Sequence, residues 1–301
     1  MRAKNKMSEF FLELFTEEIP ASLQSAAREN LLSSFTEFLD KENIDYKNNG
    51  KVFSTPNRLV IYFKKINKEI VQNSEEIRGP NINAPDKAIE GFIKSNKIDI
   101  KEVYKKKTDK GEFYFFKKPY KKLKTIEILG ENIPQILEKI KWKKSMKWGD
   151  FNLYWGRPLK SILAIFDEKP IKFKFHHLTS SNLTFIDKDF EEKTRSFKNF
   201  KSYLSYFKNI KVIIDNELRK KNIEKELIKL SNKKNLKINI DKKLLVEVAG
   251  IVEKPRIIFC SFDKKFLKIP KEIIVITMQH HQKYFPTFDH KENLTNSFFV
   301  V

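Results

Sequence analysis

The 301-residue sequence holds a single cysteine, Cys260. No intramolecular disulfide can therefore form, and a structural zinc site built on thiolates is excluded. The preceding Ile257-Ile258-Phe259 predicts a buried strand in which Cys260 serves as a small hydrophobe. Glycine is scarce, with eight in the whole chain, and neither G-x-G-x-x-G nor a P-loop occurs. Loops that cradle phosphates on glycine backbones are thus ruled out. Long hydrophobic runs are missing too: Leu59–Phe63 is strand-sized, far below the ~20 residues of a membrane span. At the N-terminus Arg2, Lys4 and Lys6 precede only a brief apolar patch, broken by Glu9 and Glu13, whereas a secretory signal needs ~7–15 continuous apolar residues. These absences predict a cytoplasmic chain with no membrane partner.

Metal and nucleophile signatures are equally thin. There is no H-E-x-x-H, and the adjacent pairs His176-His177 and His280-His281 diverge on helix or strand alike. No metal site is expected. Ser180-Ser181 lie near a histidine pair, but no oxyanion glycine or orienting carboxylate accompanies them, and a polar loop explains the run.

What is present is positive charge and aromatic mass. The net charge is +21 with a pI near 9.7, an excess that favours polyanions. Of the 60 basic residues 8 are Arg, leaving 52 Lys, a composition that also fits a solvated, lysine-padded surface. Hydrophobic residues make up 40%, including 27 Phe, enough for a sizeable core in about two domains.

Periodicity places the elements. Residues 8–15 alternate as a strand. Pro20 suits a first helical turn, and Leu23, Ala27, Leu31, Phe35 and Leu39 form one face of a helix over 20–41. Residues 51–64 read as paired strands, Pro85 to Asn96 as a short helix, and Tyr104–Tyr120 as a hairpin turning at Asp109-Lys110-Gly111. Asn132 predicts a helix cap with Pro134 in the first turn, for a helix over 133–141. Further strands are expected at 162–166, 171–175, 210–214 and 256–260, with Asp215 capping a charged helix over 216–230. Lys-rich stretches at 101–107, 117–124 and 229–243 read as surface loops or boundaries. Mixed helices and antiparallel or mixed sheets without a βαβ rhythm indicate an α+β fold. The expected division is an extension at 1–6, an α+β domain over 7–150 and a second over 151–301.

Five blocks, in order, carry a family resemblance. They are Phe11–Pro20, with its Thr-Glu-Glu-Ile-Pro entry into a helix; Ser54–Val60 with Arg78-Gly79-Pro80 and Lys87–Phe92; Lys110–Phe113; Lys144–Gly149 leading into Trp155-Gly156-Arg157-Pro158; and Leu244–Val248 through Val252-Glu253, Ser261-Phe262-Asp263 and Pro270–Glu272 to His281–Pro286. Together they resemble the N-terminal portion of the bacterial glycyl-tRNA synthetase beta subunit family, over nearly the whole chain. Departures exist: the segment between Pro80 and Lys87 is short, and Phe185–Phe190 stands where the family shows a Gly-His-Arg-Phe element, which puts RNA contact at 184–190 in doubt. Residues 1–6 precede the start expected at Met7. Family members continue into a helical His-Asp domain and an anticodon-binding domain, so the resemblance implies a fragment or a reduced subunit.

The resemblance implies a tRNA-handling subunit in a heterotetramer, whose alpha subunit activates glycine with ATP and its magnesium counterion. No cofactor belongs to this chain itself. It also implies a module like the B3/B4 type of phenylalanyl-tRNA synthetase. Lys143–Lys147 differs in letter order from the class I lysine loop, and the paired class II arginine motifs are missing, so no adenylation site is expected. RNA binding requires cations for phosphates and aromatics for unpaired bases. Arg58, Arg78, Lys147 with Trp148, Arg157, and Lys283 with Tyr284 offer that chemistry. Each has a plainer reading: Trp148-Gly149 and Tyr284–Pro286 also read as core-and-turn signatures, and Arg58 as a strand cap. A stand-alone RNA-binding module and an editing hydrolase for mischarged tRNA are the rival functions; the second requires a pocket with an acid–base pair.

Overall fold

A computed structural model describes residues 6–72, 74–118, 121–187 and 193–301. The chain divides into two compact units, one of residues 67–128 with Lys6, the other of 7–66 and 129–301. A cut at 150 does not separate them. The reason lies in strand pairing: β1 (Met7–Thr16) pairs antiparallel with β4 (Leu159–Phe166), from Phe10 opposite Phe166 to Leu14 opposite Ile162. The smaller unit is thus an insertion between two parts of one sheet.

In the larger unit β2 (Gly50–Ser54) pairs antiparallel with β3 (Arg58–Asn67). The sheet runs Lys169–Pro170, β4, β1, β3, β2. Seven consecutive residues of β1 are buried, as a strand covered on both faces demands. On one face Phe10 meets Phe35 of helix α1 (Ala21–Lys41) at 5.5 Å. The predicted stripe of α1, five residues at four-residue spacing, is buried throughout. The other face packs Phe11, Val60, Leu163 and Ile165 against Phe200, Tyr203 and Phe207 of helix α2 (Phe200–Asn209). Helix α3 (Asn216–Lys233) starts at Asp215, whose carboxylate accepts from the Glu217 and Leu218 amides. Helix α4 (Lys242–Ile251) packs with α3 and with an antiparallel sheet of Lys237–Ile238, Phe285–Phe288, Leu294–Val300 and Ile258–Ser261.

The smaller unit holds helix Asp86–Asn96 and the predicted hairpin, Val103–Thr108 with Gly111–Lys118. Thr108 pairs with Gly111 across a two-residue turn, and Gly111 takes φ +116°, a conformation that favours glycine. Tyr120, the far end of the expected hairpin, lies outside the described residues.

The α+β class stands, and four local expectations are corrected. The helix expected over 133–141 begins at Thr125 and ends at Glu138, with Pro134 in its interior. Its apolar stripe extends upstream through Leu129, fully buried with Ile133 and Leu137, which outweighs the ~3 kcal/mol cost of an internal proline. Residues 210–214 are not a strand. Lys211 turns at φ +65° after α2, and Val212 and Ile214 are buried as irregular chain. Cys260 does lie on a strand, but on the sheet's edge: Ile258 is 52% exposed and the thiol is half-buried. Of the Lys-rich stretches, 103–108 and 121–124 are exposed strands rather than loops, whereas 234–241, which joins α3 to α4, is turn and irregular chain around the two-residue strand Lys237–Ile238, as expected of a surface loop. Ladder hydrogen bonds and opposite charges such as Glu76 facing Lys117 make such strands stable.

Candidate nucleic-acid interface

Arg58 is not at the surface. It opens β3 beside the central strand β1 and is 3% exposed. One Nη donates to Glu13 Oε2 at 3.0 Å and to Thr184 Oγ1 at 3.2 Å; the other donates to the Phe185 carbonyl at 2.7 Å. Its Nε lies 3.4 Å from Glu253 without hydrogen-bond geometry. The guanidinium stands over the rings of Phe207 (4.4 Å) and Phe15 (4.8 Å). Burial alone would lower its pKa, but Glu13 and Glu253 hold it above the ordinary arginine value. With both Nη groups donating inside the fold and the residue 3% exposed, Arg58 is a core cation rather than the surface cation an RNA contact requires. Thr184 and Phe185, at the start of the doubtful 184–190 segment, are absorbed in the same cluster; residues 188–190 lie outside the described residues.

Glu13, fully buried, accepts from Arg58, Thr184 and the Tyr203 hydroxyl. Burial, then the Glu13 charge, pushes the Tyr203 phenol well above its usual 10.0. The folded state keeps a proton that the unfolded state releases. This contribution is therefore full below pH 10 and is lost as pH climbs toward the folded value. Tyr203→Phe is expected to cost about 1.5–3 kcal/mol at pH 7, as for a hydrogen bond to a charged group. It should also flatten the alkaline decline relative to the unaltered chain. Urea melts between pH 8 and 11 check this, and parallel decline of both proteins would refute it.

The other predicted cations divide. Arg78, in the smaller unit, is exposed and stacks over Phe113 at 4.1 Å. Lys283 is committed to Glu247 at 2.9 Å and to the His280 carbonyl at 2.9 Å. Tyr284 stacks on Phe298 at 4.8 Å and walls an apolar hollow of about 320 Å³ with Phe262, Ile273 and Met278. The plainer core-and-turn reading fits that pair. By contrast, the segment 142–157 keeps both parts of the RNA-binding chemistry at the surface. Lys147 is exposed, and Arg157, half-buried, donates only to the Gly156 carbonyl at 3.0 Å; neither enters an ion pair among the described residues. Half-buried Trp148 meets His177 edge-on, Phe151 stacks flat on that imidazole at 3.7 Å, and Tyr154 is 66% exposed. Trp155 anchors the segment in the core, and a Cβ on Gly156 would lie 2.4 Å from Trp142. Trp155-Gly156 is therefore a packing requirement, whereas Arg157 and Tyr154 reach the surface.

A second basic surface was not anticipated from the sequence. Lys51, Lys64, Lys201, Lys208 and Lys211 line a cleft of about 980 Å³ floored by Phe53 and Tyr62. The available signal was the alternation Lys51/Phe53 and Tyr62/Lys64 and the helical spacing of 201, 204, 205 and 208. Among the described residues no group of three His, Cys, Asp or Glu could hold a metal ion. No helix of the described residues is long and apolar enough to cross a membrane.

The sequence matches the family model described as glycyl-tRNA synthetase beta subunit over residues 10–301. The chain belongs to that family. Similar proteins include the glycine–tRNA ligase beta subunits of Rickettsia bellii (strain OSU 85-389) and Rickettsia akari (strain Hartford), each 37% identical over 98% of this chain and 44% of the relative. That of Rickettsia canadensis (strain McKiel) is 36% identical over the same shares. The chain spans under half the length of these curated relatives. Within the family frame, Trp155–Pro158 and Thr55–Arg58 are two blocks with different physical meanings: one presents a cation, the other buries one.

Proposed function

We propose that this chain is the tRNA-handling part of a glycyl-tRNA synthetase beta subunit. It acts in the cytoplasm with an alpha subunit that activates glycine with ATP and magnesium, in a heterotetramer that charges tRNA(Gly). The observation that carries this reading is the family match over residues 10–301. Supporting it, the 142–157 segment carries Lys147 and Arg157, which enter no ion pair among the described residues, and the exposed aromatics Phe151 and Tyr154. Such a surface meets phosphates and unpaired bases.

Two measurements test the proposal. The isolated chain should show no glycine-dependent ATP–pyrophosphate exchange and should co-elute with a glycine-activating alpha subunit. Exchange by a preparation free of alpha subunit would overturn the division of roles. Binding of tRNA should weaken by about 0.7–0.9 log units per log unit of salt for each phosphate neutralised. Arg157→Ala should weaken cognate and non-cognate tRNA alike with an unchanged melting temperature. A flat salt response, or loss of stability without loss of binding, would remove Arg157 from the interface.

A further inference from the structure

The cleft beside α2 carries more than its charge count. Lys51 and Phe53 lie two apart on β2, Tyr62 and Lys64 two apart on β3, and Lys51 is the cross-strand partner of Tyr62. All four therefore share one face at the sheet edge. Lys201, Leu204, Ser205 and Lys208 share the outer face of α2, whose opposite face buries Phe200, Tyr203 and Phe207 in the core. Lys211 and the start of α3 complete the cleft.

The two carboxylates in this lining already have structural work. Glu9 accepts the Phe200 amide at 2.8 Å and lies 3.5 Å from the Tyr62 hydroxyl. Asp215 caps α3. The five lysines are exposed, and none enters an ion pair among the described residues. Five lysines are thus gathered round a cleft lined by only two carboxylates, which leaves an excess of positive charge. That arrangement costs self-repulsion unless an anion enters.

The floor decides which anion. Phe53 and Tyr62 are partly exposed, and Leu218 is 51% exposed at the wall. An inorganic ion or an acidic peptide would leave this apolar floor wet, whereas a nucleobase covers it while its flanking phosphates reach the lysines. The volume, about 980 Å³, exceeds the needs of one base. We propose that this cleft binds an unpaired stretch of RNA, phosphates on the lysine rim and a base over Phe53 and Tyr62. The inference rests on the tRNA-handling reading and assigns it a second contact surface.

The test uses the full 301-residue chain, a single-stranded uridine-rich RNA containing 4-thiouridine, tRNA, and poly-glutamate as competitor. Lys64→Glu/Lys208→Glu should weaken binding of the single-stranded RNA at least tenfold, on the order expected for two lost phosphate contacts, and lower the salt slope by about 1.4 log units. The charge-matched pair Lys243→Glu/Lys291→Glu should change both far less, and melting temperatures should stay level. Photo-crosslinks should map to the peptides holding Phe53 or Tyr62, and poly-glutamate should compete poorly. Equal weakening by both charge pairs, crosslinks confined to other segments, or efficient displacement by poly-glutamate overturns the cleft assignment. Should Arg157→Ala weaken tRNA binding while the cleft variant binds as before, the cleft assignment falls and the tRNA-handling reading stands. No RNA binding by the unaltered chain would sink both.

Discussion

Arg58→Ala is expected to lower the unfolding free energy by about 3–5 kcal/mol, the usual cost of stripping one partner from a buried ion pair. The loss comes mainly from what remains. Glu13, fully buried, would be left with only Thr184 and Tyr203 as partners, and the Phe185 carbonyl would lose its donor. Glu13→Leu with Arg58→Met should recover much of that loss, because both charges and their desolvation leave together. Denaturant melts of the single and double variants decide the matter. The same series separates the core role from an RNA contact. If Arg58→Ala melts normally but binds tRNA poorly, the guanidinium reaches solvent and its assignment to the core is wrong.

Arg219→Met should be nearly as damaging. The side chain is fully buried in α3 and, among the described residues, enters no ion pair; its donors go to backbone carbonyls of Ala249 (2.7 Å), Ser54 (2.8 Å) and Ile213. Burial draws its pKa down to about 10, with Glu253 acting in the opposite sense, so the group is charged at pH 7. These carbonyls belong to the end of α4, the end of β2 and the irregular chain before α3. One guanidinium therefore ties three segments whose backbone acceptors would otherwise be unanswered. Methionine fills the space and answers none of them, at about 1–3 kcal/mol for each buried polar group left unpaired, and a total loss near or above 3 kcal/mol is expected. Arg219→Lys should restore part of it by reaching one carbonyl. A shift below 1 kcal/mol in urea melts would mean that water replaces the lost donors. Because Glu253 influences both arginines, the two losses should not add in the double variant.

The candidate site was legible in part. Lys147, Trp148 and Arg157 stand within one segment, so their neighbourhood could be read locally, and the structure keeps them at or near the surface. Arg58 reads in sequence as an RNA-binding cation or a strand cap because its neighbours, Asn57 and Leu59, say nothing of Glu13, 45 positions earlier. Lys283 follows the same logic, since Glu247 is distant along the chain. The lysine cleft could not be assembled from spacing alone. Each of its elements shows the right period, but the elements meet only once α2 packs on the sheet.

Taken by itself, the sequence determined the α+β class, helices α1 and α3 and the helix Asp86–Asn96, strands β1 to β4, the two-residue hairpin turn at Gly111, and the family blocks; helices α2 and α4 were not read from it. The class and the elements depend on periods of 2 or 3.6 and on backbone preferences that act over a few residues, and the blocks on a resemblance of residues in order. Only the tertiary structure decided that β1 pairs with β4 across an inserted unit, that Arg58 and Arg219 are buried, and that five lysines share one cleft. Burial and charge pairing depend on which distant segments come together, and that is set by the packing of whole faces, which no local window contains.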